Sequence, residues 1–296
     1  MARKYNTKAF DEINSVSAYW LGFYFSDGCV FTSKNKYSVI LSSTDLEAIE
    51  KLKKFYGILD SKTISRTIPE SGKKYYSLGI HSKILFNRMV ELGCVPNKSL
   101  IIEPPKIDKE FIPAFLLGVI DGDGSISLNK SINQWKVSIG TGSEIFAGWV
   151  KSEMDSRNLL PSLEVRKNKN AFYNITLFGN SGKIFLDELY RSVPTDLPLS
   201  RKYKAYLDMT TSISRRGPNF QDWEVEILLD NSDLEFASKT IKEHPKNYGW
   251  VRSVGTLRHK KLSLLRNLDK CITSEDAPIK ALREIDEILK KNRGLL

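Results

Sequence analysis

Leu21, Gly22, Asp27 and Gly28 recur 96 positions later as Leu117, Gly118, Asp123 and Gly124. The stretches that carry them read YWLGFYFSDGCV at 19–30 and FLLGVIDGDGSI at 115–126. Between the fixed points apolar residues match apolar ones, except that Phe25 corresponds to Asp121. An internal repeat of this kind dictates two copies of one unit, so the chain is read as two related halves. Each stretch has the composition of a buried helix that ends on an acid and a glycine. A glycine inside a helix costs about 1 kcal/mol relative to alanine. Repeating it at Gly22 and Gly118 points to two helix backbones packed closely about a pseudo-twofold axis, with Gly28 and Gly124 ending the helices in a left-handed conformation.

The segments that follow alternate in period. After Gly28 come a strand hairpin over CVFTSK and YSVILSS, and a helix over TDLEAIEKLKKFYG with Thr44 as N-cap, Glu47 completing a capping box and Gly57 at the exit. Two further strands, SKTISRTI and KYYSLGI, and a helix SKILFNRMVELG ending at Gly93 complete the half. The second half repeats the order: strands GSISLNK and WKVSIGT, a helix from Ser143, strands LEVRKNK and FYNITLF, and a helix SGKIFLDELYRS. The expected fold is α+β, two tandem αββαββα repeats with antiparallel sheets. The expected divisions are 1–104 and 105–212 for the repeats, 213–270 for a helical, helix-turn-helix or Myb-like extension, and 271–296 for a C-terminal amphipathic helix.

Alternation assigns the strand faces. Ile126 and Leu128 oppose Ser125 and Ser127; Val137 and Ile139 oppose Lys136 and Ser138; Tyr173, Ile175 and Leu177 oppose Asn174 and Thr176. Ile64 and Ile68 oppose Ser65 and Thr67, which leaves Arg66 on the apolar side. Each half thus presents a face of hydroxyls, amides and basic groups. The formal charge is +10, and basic turns lie at Lys34 and Lys36, at Lys73 and Lys74 beside Tyr75, and at Arg166, Lys167 and Lys169. That pattern suits a polyanion. In the extension an acidic stretch at 222–244 precedes a basic one, where Arg252, Arg258, Lys260 and Lys261 are further candidates for DNA contact and Trp223 and Trp250 for the core.

Asp27 and Asp123 fall at the negative C-terminal ends of adjacent helices and repel each other. No cation lies near either end in sequence, so a hard divalent ion is the expected remedy. Three scattered cysteines and three scattered histidines give neither a disulfide framework nor a zinc site. An EF-hand loop starting at Asp121 fails because Ile126 and Ile132 stand where Gly and Glu belong. No apolar run spans a membrane, and the first residues lack a signal-type apolar core, which predicts an intracellular protein.

AYWLGFYFSDG and FLLGVIDGDGS resemble the two signature helices of LAGLIDADG homing endonucleases in their single-chain, two-repeat form. The resemblance covers residues 15–210. It implies saddle-shaped sheets on double-stranded DNA and a monomer that cuts a long asymmetric site with Mg²⁺ or Mn²⁺. By the same resemblance the metal lies on Asp27 and Asp123 with the carbonyls of Ser26 and Gly122. Lys98 and Lys202 match the family's basic residue of each half, with Lys204 the alternative to Lys202. Intron homing follows, with action beside the genome: in the cytoplasm if bacterial or phage-encoded, in an organellar matrix if organelle-encoded. An intron RNA-splicing maturase and a binding-only regulator are the alternatives on the same scaffold. The bulky Phe25 and the C-terminal extension depart from the family pattern.

Overall fold

The computed structural model describes residues 5–34, 36–59, 61, 63–67, 72–130, 134–167, 171–212, 222–244, 252, 254, 257–258 and 260–261. The chain divides into two compact units, Met1–Ile213 and Ser214–Leu296.

The first unit contains both repeats. The first repeat runs α1 (Ser15–Asp27), β1 (Gly28–Ser33), β2 (Lys36–Ser43), α2 (Leu46–Tyr56), β3 (Ile64–Thr67), β4 (Lys74–His81) and α3 (Lys83–Glu91). The second runs α4 (Ile112–Asp123), β5 (Ser125–Asn129), β6 (Gln134–Thr141), α5 (Glu144–Asp155), β7 (Ser162–Lys167), β8 (Ala171–Phe178) and α6 (Gly179–Arg191), followed by α7 (Ser200–Ser212). The sheets have the orders β1-β2-β4-β3 and β5-β6-β8-β7, all antiparallel. One apolar core runs beneath both sheets, and α1 and α4 lie at its centre. Trp20, Phe23, Phe10 and Tyr24 of the first repeat interlock with Phe55 and Tyr56 of α2.

Three local expectations change. Gly28 (φ −85°) and Gly124 (φ −78°) are extended, not left-handed. Glycine is needed there for room: a Cβ would lie 2.5 Å from the Tyr24 carbonyl oxygen at Gly28 and 2.7 Å from that of Ile120 at Gly124. The N-cap of α2 is Asp45, without a side-chain bond, and not Thr44. Glu47 builds no capping box, because its carboxylate binds Lys51 and the backbone N–H of Ser200 at the start of α7. Gly57 does take the left-handed exit (φ 68°).

In the second unit α8 (Asp222–Asp230) and α9 (Leu234–Glu243) are helical, and Trp223 stacks on His244 at 4.1 Å. Trp250, Lys169 and the expected helix at 271–296 lie outside the described residues. No described helix is long and apolar enough to cross a membrane.

Candidate active site at the helix seam

The two glycines are the reason α1 and α4 can touch. A Cβ on Gly22 would stand 1.9 Å from the Phe115 carbonyl oxygen, and one on Gly118 would stand 1.9 Å from that of Tyr19. Each helix therefore presses its backbone into the glycine of the other. One turn further on, a Cβ on Gly122 would lie 2.4 Å from the Ser26 Cβ, so small residues continue the contact to its end. The Ser26 hydroxyl reaches across to the Val119 carbonyl at 3.2 Å.

This seam delivers Asp27 and Asp123 to one place. Burial pushes the Asp27 carboxyl up to about 6, and the negative charge of Asp123 adds to the shift, against Lys202 and Lys98. Asp123 is more open to solvent, yet desolvation also raises it, again against both lysines. Neither carboxylate has a hydrogen-bond or ion-pair partner among the described residues.

Cations from distant parts of the chain serve the helix ends, and they are Lys98 and Lys202, the lysines that the resemblance implied. The Lys98 ammonium donates to the Ser26 carbonyl at 3.0 Å, which caps α1. The Lys202 ammonium donates to the carbonyls of Asp121 at 2.8 Å, Gly124 at 2.9 Å, Gly122 at 3.2 Å, and Ile120, which caps α4. Burial lowers the Lys202 ammonium to about 8, while Asp121 holds the charge in place. Lys204 pairs instead with Asp208 on the surface.

The two carboxylates and the Ser26 and Gly122 carbonyls form a set of hard oxygen donors suited to a divalent ion, and each carbonyl keeps a second lone pair beside its lysine. Among the described residues no cluster of three or more His, Cys, Asp or Glu side chains could hold a metal. A site of this composition needs water or a substrate phosphate to complete its shell, the manner in which Mg²⁺ is usually bound.

The ends of the seam differ where Phe25 replaces the counterpart of Asp121. Phe25 packs edge-on against Phe115 at 4.9 Å and lies 6.1 Å from Phe146. Beside it a cleft of about 210 Å³ opens between Ser26, Lys98, Asp123, Gly140 and Phe172. Asp121 is buried; its Oδ2 accepts the Tyr19 hydroxyl at 2.7 Å and the Leu199 N–H at 2.9 Å. Desolvation pushes its carboxyl up to about 6. The sequence marked this position only as an exception to the repeat, yet it ties α1, α4 and the start of α7 together.

The sheet registers assign the faces, because residues opposite each other in an antiparallel pair share one. In the second sheet Ser125, Ser138 and Thr176 align in one row and Ser127 with Lys136 in the next. Asn174 and Arg166 share that open face, while Lys167 stands on the other. In the first sheet the edge strand is reversed from expectation. Ser65 and Thr67 share the face of Tyr76 and Lys74, the side of the buried Leu78 and Ile80. Arg66 shares the open face with Tyr75, and Lys36 lies on it at the other end. Lys34 and Lys73 sit exposed in turns. All four β3 side chains are exposed, so apolar burial did not decide their direction.

Two candidates in the second unit are corrected. Arg252 is 3% exposed and forms a bidentate pair with the fully buried Glu224 at 2.6 and 2.7 Å. Lys261 is buried and donates to the Asn231 carbonyl at 2.8 Å. Both side chains are used inside the unit, which removes them from a DNA-contact surface. Arg258 is exposed and Lys260 half-buried.

Fold and seam together define a pseudo-symmetric two-repeat α+β protein with paired acids where its halves meet. Residues 14–92 match the model of a LAGLIDADG-like domain, and the second repeat has the same order of elements as the first. No curated protein matches the chain. Similar solved structures include mesophilic variants of the homing endonuclease I-DmoI (14% identity, 64% of this chain and 99% of that one, TM-score 0.43). Others are I-DmoI in complex with DNA and Ca (15%, 66% and 97%, 0.44) and the meganuclease I-SmaMI bound to uncleaveable DNA (15%, 65% and 88%, 0.43). Likeness of that degree leaves the functional argument to the geometry of this chain.

Proposed function

We propose that this protein is a site-specific double-strand DNA endonuclease, a homing endonuclease that hydrolyses one phosphodiester in each strand of a long, asymmetric target. One observation supports the reading: the glycine seam brings two partnerless carboxylates within electrostatic reach of each other and of two lysines that cap the same helix ends. Asp27 with the Gly122 carbonyl, and Asp123 with the Ser26 carbonyl, would hold divalent metal, Mg²⁺ or Mn²⁺. When bound it supplies charge stabilisation to the phosphate and a lowered pKa to water. The chain's own groups do the rest. Lys98 and Lys202 offset the negative charge that builds on the phosphate. The open faces hold the duplex, with basic turns on phosphates and strand side chains on base edges of the major groove. The protein would act as a monomer beside the genome that hosts its intron, in the cytoplasm or an organellar matrix.

The test is incubation of the chain with a library of linear duplexes, with and without Mg²⁺. Mg²⁺-dependent double-strand cleavage that Asp123→Asn abolishes, with binding retained and weakening steeply in salt, supports the proposal. Binding to intron RNA without any cleavage would favour a maturase, and DNA binding alone a regulator. The unpartnered acids favour the nuclease over both.

A further inference from the structure

The segment that carries each of the two lysines is gripped by the other half of the molecule. Lys202 lies in the first turn of α7, and residues 196–201 lead it to the end of α4. That segment is held from the first repeat, by the start of α2. The Lys51 ammonium donates to the carbonyls of Pro198 at 2.6 Å and Leu197 at 3.3 Å. The Glu47 carboxylate accepts the Ser200 N–H at 3.1 and 3.2 Å and the Ser200 hydroxyl at 2.6 Å. Lys51 pairs with Glu47 at 2.9 Å, and Arg201 pairs with Asp45 at 2.9 Å.

Each group suits its place. The Ser200 N–H is one of the donors that the first turn of a helix leaves without a partner, and an anion there also meets the positive end of the helix dipole. Burial raises the Glu47 carboxyl, but the bonds from Lys51 and Ser200 outweigh it and hold the group below the usual carboxylate range. Glu50 and Lys53, also on α2, pair with each other. No hydrogen bond or ion pair joins either of them to residues 196–201 among the described residues.

The other lysine is held in the same crossed manner by a thinner contact. α5 occupies in the second repeat the place that α2 has in the first. Its N-cap, Ser143, donates its buried hydroxyl to the Ile102 carbonyl at 2.6 Å. The N–H of Ile102 in turn donates to the Lys98 carbonyl at 2.9 Å, which closes the turn that carries the lysine.

Building on the endonuclease reading, we propose that each repeat aims the lysine of the other. Glu47 and Lys51 are positioning residues for Lys202, and Ser143 is the positioning residue for Lys98. A displacement of about 1 Å near a reacting centre can cost about a hundredfold in rate. Loosening the grip on one segment is therefore felt at one of the two scissile phosphates.

The experiment follows single-turnover nicking of a duplex selected from a randomised library, with a different dye on each strand, in Mg²⁺. Lys202→Met and Lys98→Met identify the strand that each lysine serves. Glu47→Ala and Lys51→Met are expected to slow the Lys202 strand about tenfold and the other strand less than about twofold. Glu47→Gln, whose amide oxygen still accepts from Ser200, is expected to recover most of the loss. Ser143→Ala is expected to slow the Lys98 strand instead. Glu50→Gln, a like change on the same helix as Glu47, is expected to leave both rates as they are. A general loss of stability slows both strands alike and leaves the ratio of the two rates unmoved. Equal slowing of both strands in these variants, no slowing, or slowing of the opposite strand overturns the crossed arrangement alone. A wild-type chain that cuts no duplex of the library overturns the endonuclease reading, and this inference with it.

Discussion

The two ends of the seam hold the same pair of groups, an acid and a lysine, in very different ways. At the first end Lys98 sits in a short 3-10 turn behind Asn97, whose backbone is left-handed (φ 55°), and it makes one bond, to Ser26. Apolar Phe25 fills the space behind α1, and a cleft lies alongside. At the second end Lys202 stands on a full helix and caps four carbonyls. The backbone at Leu199 is tied to Asp121, and the N–H of Lys202 itself donates to the Leu199 carbonyl at 3.0 Å. Duplication kept the chemistry and changed the support: one lysine is loosely tethered beside a cleft, and the other is part of the structure.

The strongest way to break this comparison is to remove the contact that both ends depend on. Gly22→Ala puts a methyl into the Phe115 carbonyl and is expected to cost about 3 kcal/mol or more in chemical denaturation. Gly148→Ala, in α5 with open space around it, is expected to stabilise by about 0.5–1 kcal/mol and is the matched control.

The lysines come next. Lys202→Met strands several helix-end carbonyls and is expected to lower stability by about 2 kcal/mol, against about 1 kcal/mol for Lys98→Met. Both variants are expected to slow nicking, each chiefly of one strand. Equal stability losses would erase the distinction between the two ends.

Asp121 sharpens it further. Asp121→Ala leaves the buried Tyr19 hydroxyl without an acceptor and is expected to cost about 1–3 kcal/mol. Asp121→Asn keeps an oxygen there and is expected to recover most of that, with thermal melts as the readout.

A further effect is in pH. Folding raises the Asp27 and Asp121 carboxyls to about 6 from a usual value near 4, so the native state binds more protons between those limits. Stability therefore falls as pH rises from about 4 to 6 and levels off above. Lys202, lowered to about 8, contributes a rise in stability between about 8 and 10.5. Asp121→Asn should flatten part of the acid-side fall and leave any Mg²⁺-induced rise in melting temperature intact. Asp27→Asn should flatten another part and diminish that rise. An Mg²⁺ effect larger at pH 5 than at pH 7.5 would contradict the placement of the ion on ionised carboxylates.

How much the sequence disclosed follows from what burial enforces. The paired helices, the succession of elements and the faces of β5, β6 and β8 were legible, because apolar residues there point one way. The face of β3 was not: all its side chains are exposed, and its direction comes from pairing with β4. Arg66, the one residue that broke the alternation, was the clue to the reversed face. The lysine caps were hidden by distance, since Lys98 is 72 residues from Ser26 and Lys202 is 81 from Asp121 in the chain. Arg252 read as a surface base because nothing in sequence links it to Glu224, 28 residues earlier.

Because α1 and α4 meet main chain to main chain, with no room for a methyl group between them, the separation of the two acids is set by peptide geometry and not by any side chain. The offset between the two cuts in a duplex would be inherited from that fixed ruler. On the proposed endonuclease reading, residues on the sheets could then change, and new targets be acquired, while the stagger of the break stayed the same.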